Sequence, residues 1–588
     1  MAPAPILLPR PRSYEAAPDG HRVPDREPVE AVDGSLAPQG YRLELSDDAV
    51  RMVGADDAGL RHAHATLAQL RHDANAPNGT RDGNLPACRI EDWPDFAVRG
   101  VMLDVSRDRV PEMGTLVALV DRLASWKINQ LQLYMEHTFA FVGHEDVWRH
   151  ADPFTAQDLH ALDAHCRSRG VELVANQNTL GHYERWLRLE RYRPLAIAPD
   201  GFDWVMGIHR PALTLDPANP GAFRLISDLL TQLVPQLPST RVHVGMDEPW
   251  ELGPERRGEW AQWLRALREL PVLAGRELLV WGDVPAVHPE LLTELPDGVT
   301  VCEWGYEGNH PFEERTARLE DAGVPFWVCP GTSSWMSISG RVDNMIENIE
   351  SAATAGVAHG AEGLLVTDWG DMGHHQQPGV SDPGFATAAA FGWCGRSHAG
   401  LDAGALATVL DVHCYDDPAR QTGRSVVALG ETYRMVVPRP PNMSALALPF
   451  FLPQWRMGKG VTDGLSRRDL ESVQTLVDDT VVALGRARPG RADATLVVEE
   501  ITATAAFLRL ACADLLLRLG GDGTLAGVGG ADREVLATAL GTGVEEYRRL
   551  WLERFRPGGL SDSTAWFDHL LDCYRTGRAE RSWFGPFG

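Results

Sequence analysis

The chain contains a single Asp-Glu dipeptide, Asp247-Glu248, which follows the strand-like run Arg241-Val-His-Val-Gly245 and precedes Pro249. Carboxylates at a strand end are the groups that cleave a glycosidic bond: one protonates the leaving oxygen, and the other stabilises the oxocarbenium-like centre. The same pair also suits a helix N-terminus, where Pro249 and two acids favour the first turn and its dipole. Spacing alone leaves both readings open. Adjacency constrains the chemistry further. Consecutive residues of a strand point to opposite faces, whereas an acid and a carboxylate nucleophile about 5 Å apart normally come from different strands. Neighbouring carboxylates fit a substrate-assisted route better, in which the sugar's own 2-acetamido oxygen attacks C1. One carboxylate then orients that amide and the other moves the proton, provided that the chain turns at the strand end.

Eight short apolar or β-branched runs predict the strands that carry such residues: Val98 to Val105, Ile128 to Met135, Val171 to Ala175, Arg241 to Gly245, Glu277 to Trp281, Thr300 to Glu303, Phe326 to Cys329 and Gly363 to Thr367. Amphipathic helical stretches lie between them, at Met113 to Trp126, Ala156 to Ser168, Pro220 to Leu237, Arg256 to Leu270 and Asn344 to Ala355. About 300 residues of this alternation suit a (β/α)8 barrel. An open doubly wound sheet shows similar alternation, but it usually has fewer strands, and the chain has no GxGxxG-type turn after strand one. In a barrel the chemistry gathers at the C-terminal strand ends. Here those ends are rich in Asp, Glu, His, Asn and Trp: Glu136-His137 after strand two, Asn176 to Asn178 and His182 after strand three, Trp281-Gly-Asp283 after strand five, Glu303-Trp304-Gly-Tyr306 after strand six, Pro330 to Trp335 after strand seven, and Asp368-Trp369-Gly-Asp371 after strand eight. Tryptophans with hydrogen-bonding side chains at one mouth describe a sugar pocket, because a pyranose offers C–H faces for stacking and hydroxyls for polar contacts.

The 588 residues, 44% hydrophobic, exceed one ordinary core and predict several domains. We expect a small α+β domain at 1–95 with a strand at Tyr41 to Leu45 and a helix at Ala58 to Arg71, ending in a Gly-, Asn- and Pro-rich linker at Asn75 to Pro86. The α/β barrel then occupies 96–395 and a mainly helical domain 396–588, with helices at Ser466 to Ala487, Ala492 to Leu519, Ala531 to Phe555 and Ser561 to Tyr574. The formal charge of -26 argues against nucleic acid and anionic membranes as partners. Prolines and charges interrupt the only early apolar run, Ile6 to Leu8, and no stretch approaches the roughly 18 apolar residues of a membrane span, so a cytoplasmic protein is expected. Eight cysteines without CxxC spacing predict reduced, buried thiols. No carboxylate or Cys shares the spacing of His374-His375, which reads as a loop feature, and the chemistry above needs neither metal nor other cofactor.

Val98-Arg-Gly-Val-Met-Leu-Asp-Val-Ser-Arg107, Lys127-Ile-Asn129 and His243-Val-Gly-Met-Asp-Glu248 together resemble glycoside hydrolase family 20, the β-N-acetylhexosaminidases, across about residues 96 to 395. The resemblance implies a retaining exo-glycosidase for terminal N-acetylated amino sugars, GlcNAc or GalNAc. It makes Glu248 the general acid/base and Asp247 the residue that polarises the acetamido group. It also makes Arg99 and Asp371 hydroxyl-side contacts, His182 a support of the acid/base, and Glu136 a substrate-binding residue where the family has an acid after strand two. Trp281, Trp304 and Trp369 become walls of the ring and acetamido pocket, with Trp335 beside them. Met246 replaces the second glycine of the family's H-x-G-G-D-E signature, and the family's strand-seven tyrosine has no counterpart in Pro330 to Trp335; Tyr306 is the candidate replacement. Two other readings stand beside this one: a glycosidase using Glu303 or Asp368 as an ordinary nucleophile with Glu248, and a non-catalytic barrel that binds glycans at its Trp-lined mouth.

Overall fold

The computed structural model describes residues 5–75, 83–107, 109–204 and 209–579. Its centre is a closed barrel of eight parallel strands in sequential order, with strand eight paired back to strand one. The strands are Val98–Asp104, Gln130–Met135, Glu172–Gln177, Arg241–His243, Glu277–Trp281, Val299–Trp304, Phe326–Cys329 and Gly363–Asp368. Strands one, two, seven and eight are buried at every position, as expected when a core fills the inside and helices cover the outside. The covering helices include Met113–Ser125, Ala156–Ser168, Pro220–Leu233, Arg257–Arg268, Phe312–Asp321, Val342–Ala358 and Asp382–His398. Local chemistry starts two of them. Thr155 and Asp158 form a reciprocal capping box, and the Asn219 side chain accepts the Gly221 amide ahead of Pro220 at the first helical position. The predicted elements therefore form the (β/α)8 barrel. Strand four stops two residues early at His243, and strand two starts two residues late at Gln130.

Residues 6–92 form a five-stranded sheet with one long helix, Asp57–Asn75, packed on it. The segment expected to link this unit to the barrel lies inside it instead. Asn84–Pro86 pairs with Arg22–Pro24, and Cys88–Asp92 lies between two other strands of the sheet; residues 76–82 of that segment fall outside the described ones. Asp92 joins this unit to the barrel floor. Its Oδ2 accepts from Tyr41 Oη at 2.9 Å, Lys127 Nζ at 3.2 Å and Trp393 Nε1 at 2.8 Å. Lys127 and Asp92 are both fully enclosed, and burial lowers the Lys127 pKa against the pull of Asp92.

Arg99 belongs to the same floor, which corrects its expected role at the sugar. It sits at the start of strand one, at the opposite end of the barrel from the mouth, and is completely buried. Its guanidinium donates to the carbonyls of Lys127 and Phe96 and to Gln39 Oε1, and lies over the Trp393 ring. It therefore fastens the N-terminal unit to the barrel.

Helices Ala403–His413, Thr422–Gly430, Arg467–Leu484 and Ala494–Leu519 follow the barrel, and Gly530–Arg554 and Leu560–Thr576, with the loop between them, reach its other end. They dock on its mouth-side loops: Arg556 donates to the Pro153 carbonyl, Tyr547 Oη to the His374 carbonyl, and Arg185 pairs with Asp562. His374 and His375 are buried in this seam. The His375 ring touches Phe451, Phe567 and Trp566 and bonds the Ser563 carbonyl, so the pair is a packing wedge away from the pocket rim. All eight cysteines are buried free thiols. Among the described residues no helix is long and apolar enough to cross a membrane, and no group of three or more His, Cys, Asp or Glu is placed to hold a metal.

Replacing Asp92 by Ala strands the Lys127 ammonium in the floor. We expect a loss of about 3–5 kcal/mol in denaturant-induced unfolding, with substrate affinity of the folded protein unchanged.

Candidate active site

The dipeptide Asp247-Glu248 lies on an irregular turn. Strand four ends at His243, and Gly245, Met246 and Glu248 all adopt positive φ, at 68°, 74° and 49°. This breaks the strict two-faced alternation of a strand and lets neighbouring carboxylates serve one site. The strained turn is held from several sides. Trp281 N donates to the Gly245 carbonyl at 3.0 Å, Trp260 Nε1 to the Met246 carbonyl at 3.0 Å, and Thr179 Oγ1 to the Val244 carbonyl at 2.7 Å. At Gly245 a side chain would meet Asn178 atoms within 2.8 Å, so the close approach as well as the φ requires glycine. The next helix begins at Arg257, after a short 3-10 turn from Pro254, so the two acids are not in its first turn. The helix-cap reading is thereby excluded.

The two carboxylates have different surroundings. Asp247 is enclosed: Oδ1 accepts from Asn178 Nδ2 at 2.7 Å, and Oδ2 lies 3.2 Å from His182 Nε2. Burial works against its ionised form, but His182, Asn178 and Arg107 outweigh it and hold the carboxyl below its usual range. The Glu248 side chain is 29% exposed and opens to the pocket, 3.5 Å from the same imidazole. Burial at the acidic site raises its pKa; Asp247, Asp283 and Asp371 add to this against His182, giving about 7. Burial disfavours the His182 imidazolium, yet Asp247 reverses this and lifts its pKa to about 10. An anion, an imidazolium and two carboxyls that titrate near neutrality, Glu248 and Asp283, therefore share a few ångströms. That is the division of labour acid-base chemistry requires.

Arg107, three residues beyond strand one, enters the pocket from the far side. Its Nη1 is 3.2 Å from Asp104 Oδ2 and its Nε 3.6 Å from Glu136 Oε1, and its guanidinium lies over both Tyr134 and Trp369. Glu136 is behind Arg107, bonded by Tyr134 Oη at 3.0 Å; burial pushes its carboxyl up to about 7 against Arg107. The aromatic wall is continuous. The ring centroids of Trp281 and Trp369 are 5.9 Å apart, Trp304 stacks on Tyr306 at 5.1 Å, and Trp369 Nε1 donates to Tyr306 Oη at 2.7 Å. Asp283 Oδ2 accepts the Glu248 backbone amide at 2.9 Å.

The resulting pocket is lined by Arg107, His182, Asp247, Glu248, Trp281, Trp304, Tyr306, Trp369, Asp371 and Asn442. Eight of the sequence-derived candidates thus meet there, counting Tyr306. Glu136 supports the lining from behind. Trp335 does not reach the surface: it is buried edge-on against Tyr306, with centroids 5.0 Å apart. Glu303 and Asp368, the candidate ordinary nucleophiles, are both removed from the pocket. Glu303 pairs with His310 and Arg315, and Asp368 accepts from Thr332, Ser334 and Ser381. Sequence reasoning missed Arg107, Asp283, Asn178 and Asn442 as site residues. Arg107 was within reach, because it follows the C-terminal end of strand one while Arg99 opens that strand. Asp283 and Asn178 likewise sit at strand ends already rich in polar residues. Nothing local marks Asn442.

A closed (β/α)8 barrel with acids, an imidazole and tryptophans at its C-terminal mouth has the layout of a sugar-binding barrel site. The models of glycosyl hydrolase family 20 match two consecutive stretches, domain 2 at residues 6–93 and the catalytic domain at residues 96–336. Together they cover more than half of the chain, which belongs to that family. Among its relatives, the β-N-acetylhexosaminidase of Cellulomonas fimi is 24% identical over 51% of this chain and 60% of its own length. The β-hexosaminidase subunit beta of Felis catus is 24% identical over 42% of this chain and 49% of its own. The chain thus spans about half to three-fifths of these relatives. Two solved structures share its fold. The Streptomyces plicatus N-acetyl-β-hexosaminidase, in complex with Thio-NAglucal, has a TM-score of 0.54 at 16% identity, covering 71% of this chain and 95% of that one. The GH20 β-N-acetylhexosaminidase of Streptomyces coelicolor has a TM-score of 0.53 at 17% identity, covering 73% and 97%.

Gly181 packs directly on the Asp247 backbone carbonyl, where a methyl group would collide. Gly181→Ala should therefore push the Asp247 carboxylate out of line and lower turnover about 100-fold, with the circular dichroism of the folded protein retained.

Proposed function

We propose that the protein is a retaining exo-β-N-acetylhexosaminidase that hydrolyses terminal N-acetylated amino sugars by substrate-assisted catalysis. The observation that carries this reading is the unequal pair: an enclosed, ionised Asp247 beside a pocket-facing Glu248 that titrates near 7. Asp247 accepts from the acetamido N–H and turns that group's oxygen toward C1. As the C1–O bond breaks, the oxygen closes a five-membered ring on C1, while Glu248 gives its proton to the leaving oxygen. Glu248, now a carboxylate, deprotonates the water that reopens the ring, and C1 keeps its β configuration.

The surroundings support each step. Trp281, Trp304, Tyr306 and Trp369 form an apolar wall suited to the acetyl methyl and the sugar face. Arg107 and Asp371 stand on the far side as contacts for the outer hydroxyls. Glu303 and Asp368, the two carboxylates considered as ordinary nucleophiles, are both tied up elsewhere. The resident acids, Arg107 and His182 supply the chemistry without a metal.

Glu248→Gln should lower turnover by 100-fold or more on substrates with poor leaving groups and far less on activated aryl glycosides. The reading fails if Glu248→Gln and Asp247→Asn both keep wild-type turnover on aryl 2-acetamido glycosides.

A pH profile tests the acid assignment. Glu248 must carry its proton for the first step, so kcat should be fully developed below pH 7 and fall as the pH rises through about 7. Because Asp247 raises the Glu248 pKa, the residual activity of Asp247→Asn should lose its basic limb at lower pH.

A further inference from the structure

One wall of the pocket does not come from the barrel. Asn442 lies beyond the barrel helices, in the connection after helix Thr422–Gly430 of the C-terminal region, and yet it lines the pocket with Trp304, Tyr306 and Trp369. It is built into position. Its backbone has a left-handed φ of 60°, its N–H donates to Glu307 Oε1 at 2.6 Å, and Glu307 is itself paired with Arg341 at 3.0 Å. Two residues on, Ser444 N donates to the Met336 carbonyl at 3.0 Å, clamping the connection to the loop after strand seven.

The side-chain orientation follows from chemistry. Trp335 Nε1 lies 3.0 Å from Asn442 Oδ1, and an indole N–H only donates. The amide oxygen must therefore face Trp335, which leaves the NH2 end as the polar group offered to the pocket. An NH2 group only donates, so what it meets there must be an acceptor.

Its place around the barrel identifies that acceptor. Asp247 on strand four holds the acyl nitrogen under the proposed mechanism, and Arg107 and Asp371, after strands one and eight, face the outer hydroxyls. Asn442 sits over the sector between, formed by the loops after strands six and seven, beside the Trp304–Tyr306 stack. Tyr306 Oη accepts from Trp369 Nε1 and keeps its own hydrogen, which makes it a second donor in the same sector. We propose that Asn442 donates its side-chain N–H to the carbonyl oxygen of the sugar's 2-acylamino group. It is thus a specificity-determining residue contributed from outside the barrel. This rests on the N-acetylhexosaminidase reading and deepens it.

The test compares two ligands, N-acetylglucosamine and glucosamine, as competitive inhibitors of wild type, Asn442→Leu and Asn442→Asp. Both variants remove the donor, and the Asp variant keeps the shape and the acceptor for Trp335. We expect both to weaken N-acetylglucosamine roughly three- to tenfold, the worth of one neutral hydrogen bond, and the neutral Leu variant to leave glucosamine unchanged, whereas the new carboxylate of the Asp variant attracts the glucosamine ammonium. Melting temperatures check that the variants fold. Trp335→Phe, which releases the amide from its clamp, should give a smaller loss of the same selectivity. Unchanged affinity for N-acetylglucosamine in folded Leu and Asp variants overturns the proposal, and so does an equal loss for both sugars, which would assign Asn442 a role in shape only. If the wild type itself neither binds nor cleaves N-acetylated sugars, the N-acetylhexosaminidase reading fails first, and the role of Asn442 falls with it.

Discussion

The rest of the site depends on one contact, the clamp that Asn178 and His182 place on Asp247. An enclosed carboxylate tends to take up a proton, and the clamp reverses that tendency with one hydrogen bond and one cationic partner. Once Asp247 is an anion, the other groups follow. It raises the His182 pKa, and it helps to raise those of Asp283 and Glu248, so that Glu248 holds its proton until near pH 7. The proton is therefore stored on the residue that faces the pocket. Removing Asn178 or His182 would alter the protonation of the whole set, because the groups titrate as coupled partners.

The clamp in turn depends on backbone geometry that only a packed barrel sustains. Three positive φ values within four residues are unfavourable in isolation. They persist here because strand five, the Trp260 indole and the Thr179 hydroxyl each bond a carbonyl of the turn, and because Gly181 and Gly245 let two strand ends approach. The barrel floor contributes rigidity at a distance. Asp92, Lys127 and Arg99 lock the N-terminal unit beneath the strands, and the C-terminal helices brace the loops around the mouth. Rigid support at both ends suits a site in which catalysis relies on placing the substrate's own amide within reach of C1.

Much of this organisation is legible in the linear sequence. The eight strands occupy the runs chosen for their apolar and β-branched content, since a buried parallel strand needs little else. Helix Ala156–Ser168 occupies the amphipathic stretch read for it, and the pair Asp247-Glu248 stands out as a unique dipeptide at a strand end. Errors arose where the deciding fact was which end of an element faced the ligand. Arg99 and Arg107 bracket the same strand. Only the direction of that strand in the closed barrel assigns one to the floor and the other to the mouth. Trp335 shows the related limit: a tryptophan after a strand can wall a pocket or lie behind the wall, and the choice depends on how Tyr306 packs against it.

By itself, then, the sequence determined the barrel, its helical companions and the chemical character of its mouth. Those follow from local periodicity and from residue types that recur at every strand end. The tertiary structure alone decided how the two adjacent acids differ. It also decided that a histidine 65 residues upstream sets the charge of one of them and that Asn442, almost 200 residues downstream, closes the pocket. Charge, burial and hydrogen-bond direction are properties of neighbours in space, and a closed barrel makes neighbours of residues that no sequence spacing connects.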